Sequence, residues 1–321
     1  MSKASDFRRH YPGVFFLEAD DTRTMSEYVR GLGWLAASEE IVNAERAGEG
    51  NMNYTLRVHT SSRTFILKQA RPWVEKYPVI AAPWDRAVVE GKFYQLAGTV
   101  PVLAAGMPKL MGLDEKARLL GLEDLGTARD FTYLYAGGRM ASGDLEVLLK
   151  WLSLLHGAFR DFRDKAAFAN REMRALNHQH IFVIPLANVT GSEYKREVTR
   201  LGDEYLREGD CLLHGDYFPG SWLQTPTGVR IIDPEFCFFG PPEFDLGVLL
   251  AHLIFSGYDV AELARLLKIY GSAVHERLVV QFAGVEIMRR LLGVAQLPLI
   301  LDAQAKTRLL KQSKEMVLDP R

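Results

Sequence analysis

The sequence predicts an α+β fold in two lobes: a small sheet-rich lobe over residues 1–121 and a larger helical lobe over 122–321. Three observations predict it. The first hundred residues carry strand-like alternation broken by short polar turns. The second half carries apolar residues at helical spacing. Between them the apolar stretch Leu119 to Leu122 runs into Glu123-Asp124-Leu125-Gly126, which reads as a hinge.

Thr24 to Leu32 predicts a helix with Tyr28, Val29 and Leu32 on one side. Glu39 to Ala47 is strand-like and stops at Gly48-Glu49-Gly50-Asn51-Met52-Asn53. Tyr54 to His59 resumes, with Tyr54, Leu56 and Val58 alternating against Thr55, Arg57 and His59. Ser61-Ser62 turns the chain into Thr64 to Gln69, a strand carrying Lys68. Trp84 to Gly98 predicts a helix. Asp85 suits its capping position, Ala87, Val88 and Phe93 can face the sheet, and Gly98 suits its stop. Glu90 lies on that helix. In the second half, Leu145 to Phe162 places Leu148, Leu149, Leu152, Leu155 and Phe159 at helical spacing. Tyr194 to Glu208, Phe244 to Phe255, Val260 to Tyr270 and Val274 to Gly293 read as further helices.

Composition narrows the function classes. The chain has 321 residues, 48% hydrophobic and 25% charged, enough to bury a sizeable core. A net charge of −1 gives no reason to expect nucleic acid or an anionic membrane as partner. The two cysteines, Cys211 and Cys237, lie in apolar segments and read as packing residues of a reduced, cytoplasmic protein. The polar start, with Arg8, Arg9 and His10, lacks a signal-peptide core. The apolar run Leu246 to Phe255 is broken by Gly247 and His252 and is too short to span a bilayer. The oligomeric state is open, a homodimer included.

Two acidic segments carry the chemistry. Leu213-His214-Gly215-Asp216 and Ile232-Asp233-Pro234-Glu235-Phe236 each follow an apolar stretch. They lie about twenty residues apart, which fits a catalytic loop followed by a metal-holding segment for phosphoryl transfer. Such a reaction needs phosphates held, their charge neutralised, and an acceptor hydroxyl aimed at the γ-phosphorus. Asp216 is the expected base for that hydroxyl. His214 is expected to shape the loop, and Asp245 to brace it or to cap its own helix. Asp233 and Glu235 are the expected Mg²⁺ ligands, pointing the same way if the segment is extended. Ser221, five residues after Asp216, is a further candidate metal ligand, its neutral hydroxyl a weaker one than an amide oxygen. Gly48 and Gly50 let backbone amides approach phosphate, with Asn51 and Asn53 as added donors; an ordinary hairpin turn is the plain alternative. Lys68, on an apolar strand, needs a partner or ligand, and Glu90 is the candidate. Glu123 and Leu125, at the hinge, complete the nucleotide contacts. No Walker-type loop, zinc helix or nucleophile elbow is present.

With these residues in place the chain resembles the aminoglycoside phosphotransferase and choline kinase superfamily, whose fold is protein-kinase-like. Within it the chain is most similar to the S-methyl-5-thioribose kinases. Four stretches carry this: Gly48 to Asn53; Phe65 to Ala70; His214-Gly215-Asp216 with Gly220-Ser221 and Asp233 to Pro241; and Met288-Arg289-Arg290 with Gly293 and Ala295. Tyr217, Phe218 and Pro219 stand where that family has Leu-His-Thr. The resemblance implies ATP as co-substrate and a thiopentose hydroxyl as acceptor. It puts Arg289 and Arg290 near substrate and phosphate, Arg289 as a catalytic residue. Read from the helix alone, adjacent arginines point in different directions, so at most one is expected to reach the site, and a solvated helix face stays open for Arg290. A buried Arg289 disfavours a polycationic acceptor.

The expectation is therefore an ATP- and Mg²⁺-dependent small-molecule kinase acting on a small hydroxylated metabolite, 5-methylthioribose first. A kinase for another small alcohol, such as an amino alcohol, a homoserine-like compound or another pentose, is the sibling reading. A nucleotide-binding pseudokinase regulator is the reading from a different class, and the presence of Lys68, Glu90, Asp216, Asp233 and Glu235 weighs against it.

Overall fold

The alternation of the first half resolves into a five-stranded antiparallel sheet, in a computed structural model that describes residues 3–48, 50 and 52–320. Contacts divide the chain into two units, Met1–Thr99 with Pro108–Gly126, and Val100–Met107 with Thr127–Arg321. The sequence reading ends the first lobe at Gly121. That glycine lies within a strand paired on both sides, to Leu67 and Gly112, so the strand stays whole and the division falls after Gly126.

The first unit runs α1 (Lys3–His10), α2 (Thr22–Gly31), β1 (Ile41–Arg46), β2 (Tyr54–Thr60), β3 (Thr64–Gln69), α3 (Arg86–Ala97), β4 (Leu110–Asp114) and β5 (Leu119–Glu123). The sheet order is β1-β2-β3-β5-β4. Leu56 and Val58 from β2, Leu67 from β3 and Leu119 from β5 pack with Leu17, Met25 and Val29 into one buried cluster. Alternation predicts β2 and β3. It does not predict β4, because Gly112 interrupts the apolar pattern. The glycine is required there: a Cβ would stand 2.2 Å from the Trp34 indole nitrogen. Helix α1 is also unpredicted, since Ala4 and Phe7 are its only buried residues. Phe7 meets Trp84 edge-on with ring centroids 5.6 Å apart. Asp85 precedes α3 but makes no capping bond; its carboxylate pairs instead with Arg118 at 2.9 Å.

Glu39 fixes the corner before β1. Its carboxylate accepts from Arg63 Nε at 2.8 Å and from the Thr60 hydroxyl at 2.8 Å. The Arg63 bond leads the effects that hold its pKa down at about 2, below its ordinary 4.5. A depressed carboxylate pKa contributes stability in full above the unfolded value and loses it as pH falls toward the folded one. Glu39→Gln should therefore cost about 1–3 kcal/mol at pH 7. In urea melts the gap from wild type should close between pH 4.5 and about 2. A gap that stayed constant with pH would assign the loss to shape, not charge.

The second unit begins with α4 (Pro101–Ala105) and β6 (Arg129–Asp130), then α5 (Ser142–Ala158), α6 (Arg171–His178) and α7 (Ser192–Leu206). Four short strands follow: β7 (Cys211–Leu213), β8 (Trp222–Thr225), β9 (Gly228–Ile231) and β10 (Phe238–Gly240). Helices α8 (Glu243–Phe255), α9 (Leu263–Tyr270), α10 (Glu276–Leu292) and α11 (Ala303–Leu318) complete it. Helices α8 and α10 form the core, α8 being buried over nearly its whole surface. Gly247 lets them approach closely: a Cβ there would lie 2.5 Å from the Cβ of Phe282. Strand β7 pairs with β10, and β8 joins β6 to β9. Both cysteines are free and buried, as their apolar settings predict. No helix among the described residues is long and apolar enough to cross a membrane.

Candidate active site

Each unit holds part of the predicted constellation. In the first, Lys68 on β3 is 4% exposed and Glu90 on α3 is wholly buried. The ammonium lies 2.8 Å from both carboxylate oxygens. Gly91, next to Glu90, lets α3 pack closely on the sheet: a Cβ there would come within 2.9 Å of the Leu113 and Leu120 methyls. Removing one partner of so buried a pair costs about 3–5 kcal/mol, since the other is left charged and alone.

The remaining residues assigned to nucleotide fare differently. Gly48 has φ +75 and is exposed, and Gly50 is exposed. Asn51 lies outside the described residues. Asn53 is buried, and its side-chain oxygen accepts from Arg86 Nε at 2.9 Å. Arg86 also donates to the carbonyls of Met52, Arg71 and Pro83, so Asn53 belongs to an arginine-centred clip on the chain. Glu123 is exposed and accepts from the Lys109 amide at 3.0 Å. Its neighbour Asp124 takes the structural part: a two-pronged bond from Arg57 at 2.9 and 3.0 Å. Leu125 is half-buried.

In the second unit the chain leaves β7 at His214, which is fully buried. His214 Nε2 lies 2.9 Å from the Ile232 carbonyl, which can only accept, so Nε2 carries the proton. Nδ1 then accepts from the Asp216 amide at 3.4 Å. Asp245, fully buried on α8, accepts from the amides of His214 at 2.7 Å and Gly215 at 3.0 Å. It braces the loop and does not cap α8, whose N-cap position is Pro242. His156 reaches the same carboxylate at 3.2 Å.

Gly215 joins the two acidic segments. It has φ +85, and a Cβ would stand 2.1 Å from the Phe236 carbonyl oxygen. Gly215→Ala should combine a left-handed strain with a backbone clash and cost at least about 2 kcal/mol. Urea unfolding would measure it, and a neutral result would show that the segments do not need this contact.

Ser221 is buried, and its hydroxyl donates to the Asp216 carbonyl at 3.0 Å. Its own carbonyl accepts from the Ile232 amide at 3.0 Å. Ser221 thus ties the Asp216 loop to the chain entering Asp233. The expectation that Asp233 and Glu235 lie on one extended face is corrected here. Asp233 has φ +63, a left-handed residue directly before a proline. Glu235 lies in a turn closed by the Cys237 amide on the Pro234 carbonyl at 3.1 Å. Strand β9 ends before them, so period-two reasoning does not apply. Asn170 clamps the turn, donating to the carbonyls of Glu235 at 2.9 Å and Cys237 at 3.0 Å. Nothing in its local sequence marks that role.

Asp216 is half-buried, between Arg290 at 3.6 Å and Arg289 at 4.0 Å. Burial pushes its carboxyl up; Arg290 and Arg289 pull against that rise, while Glu286 and Asp233 add to it. The expectation that at most one of the two arginines reaches the site is also corrected. Both arginines are 6% exposed, and both turn toward Asp216. Glu286, one turn earlier on α10, gathers them, with Arg290 Nε at 2.6 Å and Arg289 Nη1 at 3.0 Å. The i−3 and i−4 spacing of Glu286 from the two arginines is the signal that could have found this. Burial alone would raise Glu286, but Arg289 and Arg290 hold it well below the usual carboxylate range.

Among the described residues no group of three or more His, Cys, Asp or Glu side chains could hold a metal. Two carboxylates with hard oxygens suit Mg²⁺, which keeps several waters and takes its other ligands from phosphates. Asp233 and Glu235 fit that demand, and Asp233's strained backbone is the kind of cost that persists at functional sites.

Comparison with known proteins gives the family and the fold. The sequence profile of the phosphotransferase enzyme family (APH) matches residues 43–279, which include both acidic segments. The chain belongs to that family. It is 27% identical over 261 residues to the methylthioribose kinase of Exiguobacterium sibiricum, covering 72% of this chain and 65% of that one. It is 26% identical over 277 residues to methylthioribose kinase 1 of Oryza sativa subsp. japonica, covering 74% and 63%. The chain thus spans just under two thirds of the length of these curated relatives. Its fold is shared with the choline kinase LicA from Streptococcus pneumoniae, with a TM-score of 0.56 at 16% identity over 92% of this chain and 98% of that chain. The architecture is the bilobal, kinase-like one that the sequence predicts.

Proposed function

We propose that this family member is an Mg·ATP-dependent kinase that transfers the γ-phosphate to a hydroxyl of a small sugar-like molecule, 5-methylthioribose before others. The observation that carries this reading is the joining of the Asp216 and Asp233 segments, held together at Gly215, Ser221 and the Ile232 carbonyl. Asp216 orients the acceptor hydroxyl and takes its proton as the new oxygen–phosphorus bond forms and the bond to the ADP oxygen breaks. Arg289 and Arg290 stabilise the negative charge that gathers around that transfer. Lys68, fixed by Glu90, holds the nucleotide phosphates. Asp233 and Glu235 would hold magnesium, which supplies charge neutralisation of the phosphates when bound.

Two observations support the choice of acceptor. The relatives with the stated identities are named methylthioribose kinases. Two buried cations beside Asp216 repel a polycationic aminoglycoside and accept a neutral or anionic sugar. The sibling reading, another small alcohol, draws on Phe218. Its ring packs 4.8 Å from the Arg290 guanidinium, at a position where the thioribose kinase motif is polar. Release of ADP from Mg·ATP, measured across pentoses, thiopentoses and amino alcohols, tests the assignment. The expected result is the highest kcat/KM for 5-methylthioribose. A higher value for choline or ethanolamine would overturn that choice of acceptor.

A further inference from the structure

Behind the arginine pair runs a buried polar chain that the phosphoryl-transfer reading does not use. Glu286 Oε1, which holds Arg290, also lies 3.2 Å from His252 Nε2 on α8. His252 Nδ1 lies 2.5 Å from the Tyr135 hydroxyl. His252 is fully buried, Glu286 is 1% exposed, and Tyr135 is 8% exposed. Tautomer logic orders the chain. The Glu286 carboxylate only accepts, so His252 carries its proton on Nε2 and accepts from Tyr135 at Nδ1. Burial holds His252 neutral, with its pKa lowered to about 4.

The packing has a purpose beyond solvation of one glutamate. Glu286 faces two guanidiniums, and two rotamer-rich side chains one residue apart would ordinarily diverge. A glutamate free to swing could serve only one of them. The bond from His252 fixes one carboxylate oxygen, with Arg290 Nε on that oxygen at 2.6 Å and Arg289 Nη1 reaching both, Oε2 at 3.0 Å and Oε1 at 3.3 Å. Phe218 closes the arrangement, its ring 5.3 Å from the His252 ring and 4.8 Å from the Arg290 guanidinium. With Glu286 fixed, Arg289 Nε and Arg290 Nη2 remain buried without a hydrogen-bond partner among the described residues. Buried donors left unsatisfied cost free energy and are retained where a ligand satisfies them.

We propose that His252 and Tyr135 are positioning residues that lock Glu286, and through it aim Arg289 and Arg290 together at the oxygen atoms reacting beside Asp216. This rests on the kinase reading above. The chain acts through the arginines and does not itself touch substrate. Loss of the lock should lower turnover more than nucleotide affinity, since a displacement of about 1 Å at a reacting centre can cost on the order of 100-fold.

The test compares wild type with His252→Leu, His252→Gln, Tyr135→Phe and Glu286→Gln, using Mg·ATP and 5-methylthioribose. Glutamine can replace both bonds of the histidine, its amide donating to Glu286 and its oxygen accepting from Tyr135. His252→Leu and Glu286→Gln should lower kcat by about 30- to 100-fold with KM for ATP changed less than about threefold. His252→Gln should recover most of that loss, and Tyr135→Phe should fall between. If His252→Leu keeps wild-type kcat, or His252→Gln is as damaged as His252→Leu, or the loss lies in KM for ATP, the proposal is overturned. A wild-type protein that releases no ADP with any acceptor would sink the kinase reading instead. The lock is then judged by the crystal structure of Glu286→Gln, in which both guanidiniums should leave Asp216. Unmoved arginines would overturn the positioning role whatever the substrate.

Discussion

Asp216→Asn should reduce phosphoryl transfer by on the order of 1,000-fold while leaving ATP affinity within about threefold of wild type. The amide matches the carboxylate in shape but cannot take a proton from the acceptor. The loop around it does not depend on the charge. Asp245 holds the amides of His214 and Gly215, His214 holds the Asp216 amide, and Ser221 holds its carbonyl. Arg289 and Arg290 keep Glu286 as counter-ion. The variant should therefore fold as wild type does, as judged by thermal melting, so the lost rate cannot be charged to instability. Steady-state kinetics with a separate nucleotide titration would check this. Full activity would remove Asp216 from the role of base.

Asp233→Asn should weaken binding of Mg·ATP by about 10- to 100-fold, equivalent to about 1.4–2.8 kcal/mol. Asparagine is the informative replacement because Asp233 stands at φ +63, a region that Asn tolerates and most residues do not. Asn removes the charge and keeps the backbone. Asp233→Ala removes both the charge and the tolerance, so it should add a loss of stability to the same loss of affinity. Isothermal titration with Mg·ATP, paired with urea unfolding of both variants, separates the two effects. Unchanged affinity in Asp233→Asn would place the metal elsewhere.

Local chemistry made much of this site legible in the sequence. Alternation across Tyr54 to His59 and the apolar flanks of Lys68 placed that lysine on a buried strand, and Glu90 on the next helix was the candidate partner. Acidic residues following short apolar stretches located Asp216 and Asp233, and the position of Asp245 at the opening of the next helix offered it as a brace or a cap. What was lost depended on tertiary contact. Strand β4 was hidden because Trp34 demands Gly112, and a glycine erases the apolar pattern that announces a strand. The extended reading of Asp233 to Glu235 failed because period-two geometry was applied to a left-handed residue and a turn. The limit of one arginine failed because helical direction fixes the Cα–Cβ vector, not the end of a long flexible side chain. Glu286 overrode the divergence of the arginines, and its own anchor, His252, lies on another helix. The structural part of Asn53 was not legible because Arg86, which donates to its oxygen, lies 33 residues further on.

The most direct measurement is ³¹P NMR of the protein with ATP and 5-methylthioribose, with and without Mg²⁺. The proposed chemistry requires a phosphate-ester resonance growing in step with ADP, in the presence of Mg²⁺ alone. ADP appearing with inorganic phosphate and no ester, or ester forming equally in excess chelator, would contradict it.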